Sequence, residues 1–407
     1  MEKLSSQKAI ELEQKHGSFN YIPLPFVFSK GEGIYLWEPE GKRYMDFVSG
    51  FSAVSQGHCH PRIVKAIQEQ AATLTLLSRV LYSDQFGPFA EYCTKLFGYE
   101  RVLMMNTGAE AFETSLKIAR KWAYTVKKIP EGQAKIIVCR DNFHGRTIAA
   151  ASVASKEEHH KVFGPVLPGL VHIPFNDLAA LKIALADPHA AAFLVEPIQG
   201  EGGVVVPADG FLKEAFALCR AANALLIADE VQTGIGRTGK LLCSQYDGIK
   251  PDITLLGKAL SGGTIPVSAV LADVPLMSML QPGDHGSTFG GNPLSCHVAL
   301  ESLKVIAEEK LTENSHRMGE IFRSAVRDIG SPLIKEVRGR GLLNAIVFDF
   351  GGDASKDLAL SLALKEAGLI VKSAKTNVFR FAPPLVITEA QVQEAVAILK
   401  RVLAAFR

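Results

Sequence analysis

Apolar residues recur along this chain in short runs separated by stretches with helical spacing. From about residue 62, the runs "RVLMMN", "AKIIVC", "GLVHIPF", "AAFLVEP", "ALLIADE" and "DITLLG" read as buried strands. Between them lie amphipathic stretches, notably 109–127 and 210–223. This alternation predicts an α/β domain, with a largely parallel sheet covered by helices on both faces. The preceding segment has a different pattern. Residues 4–16 are spaced for a short amphipathic helix, and "GSFNYIPLPFVFSKGEGIYLWEPEGKRYMDF" reads as an arm followed by strands turning at Gly31-Glu32-Gly33 and Glu40-Gly41. Beyond about residue 292 the pattern changes again. One long helix over 293–328 leads to "LIKEVRGRGLLNAIVFD", a helix over 355–367, "GLIVKSAKTNVFRFAPPL" and a final helix over 388–406, an α+β unit of its own. The expected division is an N-terminal segment 1–51, a large domain 52–291 and a C-terminal small domain 292–407. No repeat or low-complexity segment interrupts it.

At 407 residues the chain exceeds the size at which one core keeps growing, in keeping with more than one unit. The 44 basic and 42 acidic residues nearly cancel, so charge makes no case for nucleic acid or an anionic membrane, and a small-molecule ligand is expected. Six scattered cysteines without a C-x-x-C pair indicate neither a disulfide framework nor a zinc ribbon. The N-terminus lacks an apolar signal core and a transit-peptide pattern. The expected location is the cytoplasm, or the mitochondrial matrix had a presequence been removed.

One stretch invites a nucleotide-binding reading. In "LLIADEVQTGIGRTGK", Gly234, Gly236 and Gly239 fit G-x-G-x-x-G, and Lys240 completes G-x-x-x-x-G-K. A phosphate loop needs Ser or Thr after its lysine to hold magnesium, and Leu241 stands there. A dinucleotide fold needs the glycines to open a helix, yet "TGKLLCSQYDGIKPD" has no helical apolar stripe. A surface loop is the better account, and a P-loop ATPase remains the alternative from another enzyme class. "GHCHP" at 57–61 similarly suggests a metal through His58, Cys59 and His60. No further ligands follow at suitable spacing, and a turn before a helix at 61–74 explains it more simply.

The stronger signal is a pair. Asp229 ends one apolar strand, and Lys258 ends the next, 29 residues later. In open α/β sheets ligands bind beyond the carboxyl ends of strands. A strand-end lysine is often a solvated charge, and a strand-end aspartate is often a cap. Together, however, they are the amine for a Schiff base and the carboxylate for a pyridinium that a pyridoxal phosphate enzyme requires. "MNTGAEAFETSLKIARKWA" adds Asn106-Thr107-Gly108-Ala109 opening a helix, where free N–H groups and the helix dipole favour an anion.

With these residues in place the sequence resembles the class III pyridoxal-phosphate aminotransferases. The likeness runs through "SAVSQGHCHP", "NTGAEAFET", "NFHGRT", "EPIQGEGGVVVP", "DITLLGKALSGG", "GSTFGGNPLS" and "VFRFAPPL". It implies the aspartate aminotransferase-like fold type I: a mostly parallel mixed sheet between helices in the large domain, a smaller α+β C-terminal domain and an N-terminal segment. It also implies pyridoxal 5'-phosphate held by Lys258 and Asp229. Gln232 would contact the ring's phenolic oxygen, Phe143 and Val231 would cover the ring faces, and Gly108 and Ala109 would bind the phosphate. Thr288 would reach the phosphate in the neighbouring subunit, making a homodimer with shared sites the catalytic unit.

For substrate, the resemblance implies Tyr21, Arg146, Glu201 and Arg380, with the two arginines as carboxylate clamps. It points to ping-pong transfer of the δ-amino group of L-ornithine to 2-oxoglutarate, giving glutamate 5-semialdehyde and glutamate. One departure bears on that choice. Phe51 stands where ornithine-using members usually carry tyrosine, so the ring is kept and a hydroxyl lost. Acetylornithine or 4-aminobutyrate is the alternative donor, although Tyr21 in "NYIPLP" favours a free α-amine.

Overall fold

The computed structural model describes residues 4–155 and 161–406. The chain enters through a helix, Ser6–His16, capped by Ser5, whose hydroxyl accepts from Lys8 N. Strands β1 (Lys30–Glu32), β2 (Tyr35–Trp37) and β3 (Arg43–Asp46) then form an antiparallel ladder. It turns at Gly33, φ 57°, where the predicted turn lies.

The central sheet follows, from β4 (Arg101–Met105), β5 (Lys135–Cys139), β6 (Leu170–Ile173), β7 (Ala190–Val195), β8 (Leu225–Asp229), β9 (Ile253–Leu256) and β10 (Ser268–Ala272). Their order is β4-β10-β9-β8-β7-β5-β6. Neighbours from β9 through β6 are parallel, and β10 alone runs antiparallel, to both β4 and β9. All the residues of β7 and β8 are buried, as expected of strands covered on both faces. Six of these strands coincide with the apolar runs read from the sequence. β10, "SAVLA", was not anticipated.

A third sheet, of order β11-β12-β15-β14, combines β11 (Ile334–Arg340), β12 (Leu343–Phe348), β14 (Lys372–Lys375) and β15 (Val378–Phe381). Between β12 and β14 lies β13 (Leu369–Ile370), which pairs parallel with β3 and so stitches the C-terminal segment to the N-terminal ladder. The aromatic core repeats this join. Phe47 lies 6.0 Å from Phe322 and 6.2 Å from Phe381, ring centre to ring centre.

The long helix expected over 293–328 is two helices. Pro293–Glu308 ends before Lys310, whose backbone is left-handed at φ 53°, and Leu311–Arg327 starts afresh. Left-handed backbone in a non-glycine residue stops α-helical hydrogen bonding and redirects the chain.

The loop after β8 carries the glycine motif and is buried over 232–239, not at the surface as the sequence suggested, because it packs between two sheets. Its Arg237 is fully buried, donating from Nη1 to the carbonyls of Leu342 (3.1 Å) and Pro383 (2.5 Å) and from Nη2 to Ser55 Oγ (2.9 Å). Burial lowers this guanidinium to about 9. The loop therefore fastens the central sheet to the third sheet. In "GHCHP", His58 Nε2 meets Asp46 at 2.7 Å and His60 Nε2 meets Glu309 at 3.1 Å, immediately before the helix Pro61–Ala71. Among the described residues no helix is long and apolar enough to cross a membrane.

Candidate active site

Asp229 and Lys258 stand at the carboxyl ends of neighbouring parallel strands. Asp229 pairs in register with Leu255 of β9, and Lys258 opens a 3-10 turn just beyond that strand. Its φ of 36° is unfavourable for a side-chain-bearing residue, and such strain concentrates at functional positions. Both residues line one cavity, together with Gly108, Ala109, Phe143, Glu201, Val231 and Gln232. Burial pushes the Lys258 amine below its ordinary range against the opposing pull of Asp229 and Glu201. A larger share of neutral, nucleophilic amine follows.

The cavity floor contains groups that sequence reasoning missed. His144 is buried, stacked on Phe112 with ring centres 5.1 Å apart, and its Nδ1 meets Asp229 Oδ2 at 2.6 Å. Asp229 Oδ1 accepts from Val231 N at 3.1 Å, so the carboxylate is held from two sides. Glu196, one residue past β7, accepts from Phe143 N at 2.9 Å and from Gly200 N at 3.3 Å. Burial drives its carboxyl up to about 7, while the field of His144 opposes the rise. A carboxylate directly after a wholly apolar strand was the available sequence signal for Glu196. His144, in "NFHGRT", has no positional signal of its own beside Phe143.

At the opposite wall, the helix Gly108–Thr125 begins with a reciprocal cap: Thr107 Oγ1 accepts from Glu110 N at 3.2 Å, and Glu110 accepts from Thr107 N at 2.7 Å. First-turn N–H groups have no acceptor within a helix, so those of Gly108 and Ala109, on the cavity wall, suit an anion. Glycine suits the close approach there, since a Cβ on Gly108 would lie 3.0 Å from Val231 Cγ1. At Gly200 a Cβ would lie 1.4 Å from Gln232 Oε1.

Beside the cavity, Arg380 of β15 is almost wholly buried and pairs with Glu201 at 2.6 Å. Burial alone would raise the Glu201 carboxyl, but Arg380, with smaller contributions from Lys258 and Lys372, outweighs it and holds the group below its usual range. Phe51 lies against Arg380, the guanidinium carbon 5.0 Å from its ring centre. Phe51 is itself in left-handed backbone, φ 58° and ψ 44°, and its carbonyl accepts from Gln232 Nε2 at 3.2 Å.

Three of the residues singled out from the sequence are exposed in the single chain and do not line the cavity. Arg146 is exposed, its guanidinium carbon 5.3 Å from the Phe143 ring centre. Tyr21 and Thr288 are exposed as well and are not among the residues lining the cavity.

An amine and a carboxylate at adjacent strand ends, an anion-binding helix start facing them and a covered arginine define a site for an anionic aromatic cofactor and a carboxylate substrate. The chain belongs to the class-III aminotransferases, whose family model matches residues 17–403. It is accordingly a pyridoxal phosphate-dependent aminotransferase. Ornithine aminotransferase of Drosophila ananassae, a mitochondrial protein, is 53% identical over 98% of this chain and 91% of its own length. The solved ornithine aminotransferase of Toxoplasma gondii superposes with a TM-score of 0.97 at 48% identity, covering 100% of this chain and 95% of that one. In that protein pyridoxal phosphate partly occupies the active site. Acetylornithine aminotransferase of Elizabethkingia anophelis has a TM-score of 0.91 at 49% identity, covering 99% of this chain and 100% of that one.

Proposed function

We propose that this chain transfers the δ-amino group of L-ornithine to 2-oxoglutarate, giving glutamate and glutamate 5-semialdehyde, which closes to pyrroline-5-carboxylate. The observation that carries the reading is the Glu201–Arg380 pair. Ornithine brings a methylene to the reacting end and 2-oxoglutarate brings a carboxylate, so one site must present a cation in one half-reaction and cover it in the other. An acid on a buried arginine does this.

Pyridoxal phosphate, when bound, supplies a conjugated ring that withdraws electrons from the bond broken at the amine-bearing carbon. Lys258 and Asp229 would hold it at its carbonyl carbon and ring nitrogen, Gln232 at the phenolic oxygen, and the N–H groups of Gly108 and Ala109 at the phosphate. Phe143 and Val231 would cover its two faces. His144 keeps the Asp229 carboxylate oriented. Lys258 Nζ, inclined by burial to be unprotonated, takes the proton from the δ-carbon of the donor. Arg146 and Tyr21 would bind the α-carboxylate and α-amine of ornithine, which directs the δ-amine inward. Glu201 shields Arg380 until a dicarboxylate arrives, and Phe51 supplies an apolar wall where a hydroxyl is absent.

The working unit is a homodimer in this reading. Phe19, Ile22, Val80, Leu81 and Tyr82 are well exposed in the single chain, and so is Phe289, next to Thr288. Exposed apolar side chains in this number support a surface that a second copy covers. Thr288 and Tyr21 would then act in the partner's site. The cytoplasm is the compartment that suits six unpaired cysteines.

The loss of the hydroxyl at Phe51 favours a second reading, in which N-acetylornithine or 4-aminobutyrate is the donor. Purified enzyme incubated with 2-oxoglutarate and each of the three amines decides between them, with products identified by mass spectrometry. Ornithine giving pyrroline-5-carboxylate fastest is expected. Faster turnover of either rival would replace ornithine as the substrate.

A further inference from the structure

The switching role given to Glu201 leaves a question that the surrounding residues answer. When the acceptor's carboxylate takes Arg380, the Glu201 carboxylate, two-thirds buried where it stands, loses its partner, and an unpaired charge in such a place is strongly disfavoured. Three basic groups act on Glu201: Arg380, Lys258 and Lys372. Arg380 is then occupied by substrate, and Lys258 Nζ is engaged in proton transfer. Lys372 remains.

Its position fits. Lys372 on β14 is the register partner of Arg380 on β15, directly across the ladder. Its ammonium stands 4.9 Å from the Phe51 ring centre, and the Arg380 guanidinium carbon stands 5.0 Å from the same centre. Like charges opposed on neighbouring strands repel. Among the described residues Lys372 has no carboxylate partner, whereas Arg380 holds Glu201. The shared ring is fixed by strained, left-handed backbone that Gln232 clamps at the Phe51 carbonyl. Without a hydroxyl, that ring offers both cations only a π face.

We propose that Lys372 is the receiving partner of Glu201 during the 2-oxoglutarate half-reaction: as the five-carbon dicarboxylate takes Arg380, the Glu201 carboxylate moves past Phe51 and pairs with Lys372 Nζ. Lys372 is thus a positioning residue, acting on acceptor affinity through Glu201. This inference rests on the switch described above.

The test uses Lys372→Met, which keeps an apolar stem and removes the charge. The two half-reactions are followed separately, and binding of glutarate, a dicarboxylate without a reacting carbonyl, is measured by calorimetry on the holoenzyme. Glutarate binding should weaken, and KM for 2-oxoglutarate should rise, by about three- to tenfold, the range for a partly exposed ion pair. The ornithine half-reaction should keep its rate, Lys372→Arg should restore acceptor affinity, and Lys372→Met should add nothing in a Glu201→Gln background. Unchanged glutarate affinity, equal losses in both half-reactions, or a loss that persists without the Glu201 charge would each overturn the proposal. If Glu201→Gln alone leaves the preference between amines unaltered, the switch itself is refuted and this inference with it. An intact switch with a silent Lys372→Met refutes only the inference.

Discussion

Replacing Glu201 by alanine removes the only carboxylate paired with Arg380 among the described residues, and the consequence for substrate orientation can be sized from the pair's surroundings. Arg380 is 3% exposed and Glu201 33%, so the pair is neither a surface contact nor sealed from water. Breaking a fully buried pair costs about 3–5 kcal/mol, and an exposed one about 0–1 kcal/mol. An intermediate value near 2 kcal/mol corresponds to roughly thirtyfold in a competition between binding modes. In the variant, Arg380 is permanently open to the α-carboxylate of ornithine, and that orientation presents the α-amine in place of the δ-amine. Glutamate, whose α-amine reacts and whose carboxylates suit an open arginine, should react at least as fast as with the parent. Ornithine should lose about thirtyfold in δ-selective rate and begin to yield the α-oxo product. Each half-reaction, followed by the bound cofactor's absorbance with products separated by mass spectrometry, reads this directly. Equal losses on glutamate and ornithine would refute the reasoning and leave Glu201 as a turn residue between glycines.

Lys258→Ala should fold and retain helix content yet lose essentially all turnover and the visible absorbance of the lysine-bound cofactor; parental turnover would remove Lys258 from the chemistry. Mixing Lys258→Ala with Thr288→Ala subunits should regain activity, because the mixed dimer has one site with both lesions and one with neither; no gain on mixing would place Thr288 in its own chain's site. Glu196 gives a pH signature. Its carboxyl rises from an ordinary 4.5 to about 7 on folding, so the folded state holds the proton more tightly, and the associated stability is full below pH 4.5 and lost as pH rises toward 7. Glu196→Gln should flatten that part of the Tm profile, where the parent loses up to about 3 kcal/mol; an unchanged slope would mean that other groups govern it.

The strands were legible because burial on both faces leaves continuous apolar runs, and six of the seven central strands fall on them. β10 escaped because "SAVLA" is short and built largely from small residues, so nothing in it distinguishes a strand from a buried connector. The break at Lys310 was invisible for the opposite reason. "EEKLTENS" has no glycine or proline, so nothing in it announces the left-handed turn at Lys310. Of the site, Asp229, Lys258 and the opening of the Gly108 helix were readable from position alone, since strand ends and helix starts have fixed meanings in an open sheet. His144 and Lys372 were not, and the position of Glu196 just past β7 marked a candidate without telling its role. Their roles depend on what lies opposite: a carboxylate 85 residues away for His144, a backbone N–H 53 residues back for Glu196, and one aromatic ring shared with Arg380 for Lys372.

The buried Arg237 also sets an order of events during synthesis. Its guanidinium sits in the loop that follows the Asp229 strand, but two of its three acceptors, the carbonyls of Leu342 and Pro383, are translated more than a hundred residues later. Until the ribosome has delivered Pro383, the loop contains a cation with no adequate acceptors, in a place that must exclude water. Nascent chains can therefore lay down the central strands early, while the loop after β8 locks against the third sheet only when the chain is nearly complete. A ribosome-stalled fragment ending before Leu342 should present a protease-sensitive loop at 234–240, which becomes resistant once translation passes Pro383.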